Sequence, residues 1–108
     1  MKLIKRNYQA VVNRGLINEK TNIIDFIDKM EEEYFEVCNA HDIGENKPND
    51  HMIEEVLDLM VVCINFLVHY NVNIIRGLIK IAWKNERRAH MNNSKFLKYG
   101  IRIQQEER

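Results

Sequence analysis

The sequence has only one proline and four glycines in 108 residues. So few breakers argue against a turn-rich β-sandwich and favour helices. Two cysteines, Cys38 and Cys63, are too few for a disulfide framework, and both fall in apolar helical surroundings. Their scarcity points to a reduced, cytoplasmic setting. No stretch approaches the ~20 apolar residues of a membrane span. The longest, Val56 to Val68, is too short and contains Asp58 and Asn65. Lys2, Lys5 and Arg6 have no apolar core after them, so no signal peptide is expected. No internal repeat or low-complexity segment interrupts the chain. Its length fits one domain, residues 1–108.

Net charge is also absent, with 16 basic and 16 acidic side chains. The balance conceals a strong segregation. Residues 1–20 carry five basic side chains and one acidic; residues 21–60 carry two basic and twelve acidic; residues 61–108 carry nine basic and three acidic. An acidic middle repels itself unless cations neutralise it, either the chain's own Lys and Arg or metal ions. A partner carrying both metal and phosphate suits both kinds of segment.

Four helices are predicted. The first spans about residues 2–14, with Ile4, Tyr8, Val11 and Val12 at helical spacing and Gly15 as a stop. The second begins at a cap on Thr21 or Asn22 and carries Ile23, Ile27, Met30, Tyr34, Val37 and Cys38. It fades in the polar segment His41 to Asp50. The third starts from Asn49 or Asp50 and runs to about Tyr70. The fourth starts after Asn71 or Asn73 and runs to about Met91, with Ile74, Ile75, Leu78, Ile81 and Ala82 as its stripe. The tail from Asn92, with Phe96, Tyr99, Ile101 and Ile103 around Gly100, carries no assignment. From Leu57 to Val68 the third helix is apolar nearly all round, and such a helix must be buried on all faces. A homodimer or homotetramer, with this helix in the interface, is therefore expected.

The acids are the informative feature. Glu33 and Glu36 on the second helix, and Glu55 and Asp58 on the third, each share the spacing i, i+3, which puts both members of a pair on one face. Glu33 lies at the edge of the apolar stripe. Asp58 sits in a run of Val56, Leu57, Leu59, Met60, Val61 and Val62, where a lone ionised carboxylate is costly. Four converging carboxylates need a cation, and hard oxygen ligands suit Mg²⁺ or Mn²⁺. Glu31, Glu32 and Glu54 read as a solvated helix face. A di-iron bundle wants Glu-x-x-His pairs, and none of His41, His51, His69 and His90 stands three residues after a Glu. His51 reads as a first-turn residue, and the other three as surface or loop histidines. On the fourth helix Arg76, Lys80, Lys84 and Arg87 form one stripe, with Asn85 and Arg88 beside it. These suit phosphate, although a solvated face paired with the acidic helices is equally open for Arg76 and Arg87. Nucleic acid is a weaker partner, because the basic patch sits beside a strongly acidic one.

Glu32-Glu33-x-x-Glu36 followed by Glu54-Glu55-x-x-Asp58 resembles the ExxE…ExxD pattern of the MazG-like, all-α nucleoside triphosphate pyrophosphohydrolases. The resemblance covers about residues 22–91, and Asn85-Glu-Arg-Arg88 is similar to the family's Asn-x-x-Arg. Tyr34 and Phe35 stand where the family often has a small residue, and the preceding lysine, Lys80 or Lys84, is one residue out of step. The resemblance implies an oligomeric, four-helix, bundle-like fold of the MazG type that cleaves a nucleoside triphosphate between its α and β phosphates. In that reading Glu33, Glu36, Glu55 and Asp58 hold Mg²⁺ and serve catalysis, one of Glu33 and Glu36 taking the proton from water. Lys84, Asn85, Arg88 and Lys80 bind substrate, and Tyr8, Phe26 and Trp83 are candidates for contact with the base. The alternative is a non-catalytic helical oligomerisation or regulatory module that binds nucleotide or protein.

Overall fold

The computed structural model describes residues 2–99, with side chains described for residues 2–91. Ile101 and Ile103 lie outside the described residues. All regular structure among the described residues is helical: α1 (Lys2–Asn13), α2 (Ile23–Ala40), α3 (Asp50–His69) and α4 (Ile74–Tyr99). The all-α class expected from the scarcity of breakers is thus observed. No helix among the described residues is long and apolar enough to cross a membrane.

The chain divides into two compact units, Met1–Val72 and Asn73–Arg108. The first holds α1, α2 and α3, with α3 packed mainly on α2 and more briefly on α1. Its helix ends are written in local chemistry. Gly15, at φ +78°, closes α1 in a Schellman turn: the Leu16 N–H donates to the Val11 carbonyl at 3.2 Å and the Gly15 N–H to the Val12 carbonyl at 2.9 Å. Asn71, at φ +57°, ends α3 the same way, with Val72 N–H on Leu67 and Asn71 N–H on Val68. Of the paired cap candidates, the structure selects Asn22, Asn49 and Asn73. Asn22 and Asp25 form a reciprocal capping box, each side chain accepting from the other's backbone N–H. Asn49 accepts from the Met52 N–H at 2.7 Å and donates to the Ala40 carbonyl at 2.9 Å, tying the end of α2 to the start of α3.

The core of this unit is small. Ile17, Phe26 and Ala40 are its buried apolar residues, and Asn65 is its buried polar one. Phe26 meets Phe66 edge-on at 5.6 Å between ring centroids, and His69 at 5.1 Å. His69, expected at the surface or in a loop, is instead half-buried at the end of α3. Its Nε2 lies 3.1 Å from the Thr21 carbonyl and its Nδ1 2.9 Å from the Tyr8 hydroxyl. A carbonyl only accepts, so Nε2 carries the proton and, in the neutral ring, Nδ1 accepts from Tyr8. This bridge draws α1 and the turn before α2 onto α3, which apolar patterning alone does not reveal. Within one chain α3 is not covered on every face: Ile53, Val56, Leu57 and Met60 stay about half exposed.

The second unit is α4, whose first turn is capped by Asn73 Oδ1 accepting from the Arg76 N–H at 3.1 Å. The helix continues to Tyr99, eight residues beyond the expected end at Met91. The segment after Met91 holds neither Gly nor Pro before Gly100, so nothing in it forces a stop.

Candidate metal centre

The packing of α2 on α3 brings Glu33, Glu55 and Asp58 together. Each offers one carboxylate oxygen, and the three oxygens lie within 4.8 Å of one another. Glu33 and Glu55 are mostly covered, with side chains 15% and 14% exposed. Asp58 is exposed. This corrects the expectation that its apolar neighbours bury it: Leu57 and Met60 on either side are themselves about half exposed. Asp58 therefore avoids the desolvation cost inferred from its surroundings in the sequence. Glu36 does not join the three-oxygen group. It lies exposed on α2, one turn beyond Glu33, although its charge is felt at Glu55.

Like charge converges on Glu55. Desolvation raises its pKa above the ordinary carboxylate range, and the negative charges of Asp58, Glu36 and Glu33 raise it further, against the opposing charge of His51. His51 is exposed, with Nδ1 3.7 Å from a Glu55 oxygen. Lys29, one turn before Glu33, places its ammonium 3.2 Å from both Glu32 and Glu33. Burial alone would lower its pKa, but hydrogen bonds and charge from these two acids push it up.

Beside the acids is a cavity of about 610 Å³, within the ~300–1,000 Å³ typical of small-molecule sites. Asp58 and Glu33 stand at its acidic side with Lys29, while Phe26, Val61 and Val62 supply apolar wall. Arg14, at the end of α1, and Asn65, on α3, also line it. None of Arg14, Lys29 and Asn65 was singled out from sequence as a site residue. Lys29 was detectable as the i, i+4 partner of Glu33, and Asn65 as a polar residue two turns beyond Asp58 in an apolar run. Arg14 gave no local signal.

Among the aromatic candidates for base contact, Phe26 lines this cavity but is 4% exposed and engaged in the core. The Tyr8 hydroxyl is committed to His69. Trp83 is exposed on α4. Lys80, Lys84, Asn85 and Arg88 all lie on α4 with exposed side chains. No family model, curated protein or solved structure matches the chain.

Proposed function

We propose that the chain is a Mg²⁺-dependent nucleoside triphosphate pyrophosphohydrolase of the MazG-like type. The observation that carries this reading is the meeting of Glu33, Glu55 and Asp58, from two helices, beside a cavity large enough for a nucleotide. The donor set fits a hard divalent cation. It offers oxygen only, and Glu55 is held above its ordinary pKa by burial and by like charge that a cation would relieve. Mg²⁺, or Mn²⁺ in its place, would be held by these three residues, with Glu36 as the fourth acid of the motif. When bound, such an ion neutralises phosphate charge and makes a bound water more acidic.

The chain's own groups then have separable tasks. Of Glu33 and Glu36, Glu36 is the one exposed and outside the three-oxygen group, and it would accept the proton of the attacking water. The water oxygen bonds to the α phosphorus, the bridge to the β phosphorus breaks, and pyrophosphate leaves with the bonding pair. Arg14 and Lys29 supply positive charge at the cavity; Lys80, Lys84 and Arg88 on α4, with Asn85 beside them, carry the cationic and hydrogen-bonding groups that suit a polyphosphate. The half-exposed apolar residues of α3 support assembly as a homodimer or homotetramer.

A second reading, a non-catalytic module that binds nucleotide or protein, draws on the exposure of Asp58, since an exposed carboxylate needs no metal. Asp58→Asn separates the two. A pyrophosphohydrolase loses at least about a hundredfold in Mg²⁺-dependent nucleotide turnover, because even outer-shell partners of a metal are worth 10–100-fold, while its circular dichroism spectrum is retained. Unchanged turnover in the variant contradicts the metal-ligand role. A wild type that binds nucleotide without turning it over establishes the second reading.

A further inference from the structure

Asn65 is 4% exposed, and its Oδ1 is buried without a hydrogen-bond partner among the described residues. Buried side-chain oxygens are rarely left so, and each such orphan calls for an explanation: an ordered water or ion, strain, or a group that arrives with a ligand. The residue lines the same cavity as the acids. Asp58, Val61, Val62 and Asn65 follow the i, i+3, i+4, i+7 pattern of one helix face, so α3 forms a continuous wall from a carboxylate to a carboxamide. Seven residues of helix separate the two ends by about 10 Å. That matches the reach of a nucleotide from its 5′-phosphate to the polar edge of its base.

The wall also changes character along its length. The Asp58 end is charged, with Glu33 and Lys29 near it, and suits metal and phosphate. The Asn65 end is reached past Val61, Val62 and Phe26, where a polyanion would be poorly solvated but a flat heterocycle is at home. From this juxtaposition we infer that Asn65 is the specificity-determining residue that reads the nucleobase through an edge presenting an N–H donor beside an acceptor. A carboxamide meets both, since a half-turn about its terminal bond exchanges Oδ1 and Nδ2. The inference rests on the nucleotide reading of the site but not on turnover.

The test is equilibrium binding, in Mg²⁺, of UMP, CMP, AMP, GMP and ribose 5-phosphate to the full chain and to its Asn65→Leu and Asn65→Ala variants. The expected wild type binds at least one nucleotide about tenfold or more tighter than ribose 5-phosphate, the worth of a good hydrogen bond at a desolvated edge. Both variants erase that preference and leave ribose 5-phosphate binding unchanged. Two substitutions of different size guard against a packing effect peculiar to one of them. A wild type without base preference, variants that keep it, or variants that weaken ribose 5-phosphate equally each overturn the assignment. Base preference without hydrolysis would leave Asn65 as the base reader while removing the pyrophosphohydrolase reading. Hydrolysis without base preference would do the reverse.

Discussion

A residue held for a ligand works against the stability of the ligand-free protein, and Asn65 allows that effect to be sized. Its Oδ1 is buried and meets no hydrogen-bond partner among the described residues. Such an orphan costs about 1–3 kcal/mol. Asn65→Leu removes the orphan at an unchanged number of side-chain heavy atoms, its two methyl groups replacing Oδ1 and Nδ2, and the adjoining cavity accommodates their slightly larger volume. The substitution is therefore expected to stabilise the ligand-free chain by about 1–3 kcal/mol, raising Tm by about 4–8 °C for each kcal/mol in a domain of this size. Asn65→Ala leaves a larger void, which offsets the gain and brings the change near zero. Thermal melts followed by circular dichroism, with urea unfolding as an independent scale, measure both. A fall in Tm for Asn65→Leu would mean that the amide is satisfied in the free protein, and the premise of an unpaired group would fail. A rise in Tm together with loss of base preference is the trade of stability for function expected of a binding residue.

Three other outcomes follow from the geometry. Glu55 has a folded-state pKa above its unfolded value, so its contribution to folding is complete below the unfolded pKa and is lost as pH rises through the folded one. Melts in EDTA should therefore decline as pH rises through and just above the ordinary carboxylate range. Saturating Mg²⁺ should abolish the decline, and so should Glu55→Gln without metal. Mg²⁺ affinity should weaken on acidification through the same window, which isothermal titration would show. Tyr8→Phe keeps the ring but removes the 2.9 Å hydrogen bond to His69, costing about 1 kcal/mol in urea unfolding.

Much of the architecture of the first unit was legible because it is local. Asn22, Asn49 and Gly15 act through their own turns, so their roles can be read without knowing what packs against them. The meeting of Glu33, Glu55 and Asp58 was legible for a related reason: i, i+3 spacing fixes a shared face, and two packed consecutive helices bring such faces together, although Glu36 stays outside the group. Burial was not legible, because it depends on neighbours distant in sequence. Asp58 looks enclosed among apolar letters yet is exposed, while His69 looks like a polar helix end yet bridges Tyr8 and Thr21, 61 and 48 residues away. Asn65 could be read only as an interruption of an apolar run. Its significance lies in a missing hydrogen-bond partner and a shared cavity, and neither has a signature in sequence.

The most direct test of the proposed chemistry is product analysis. The purified chain is incubated with a panel of NTPs and dNTPs, in Mg²⁺ or in EDTA, and the nucleotides and phosphates are resolved by chromatography. Cleavage between the α and β phosphates gives monophosphate and pyrophosphate, in Mg²⁺ only. Diphosphate with orthophosphate, or no turnover of any nucleotide while Mg²⁺ still binds, would contradict it.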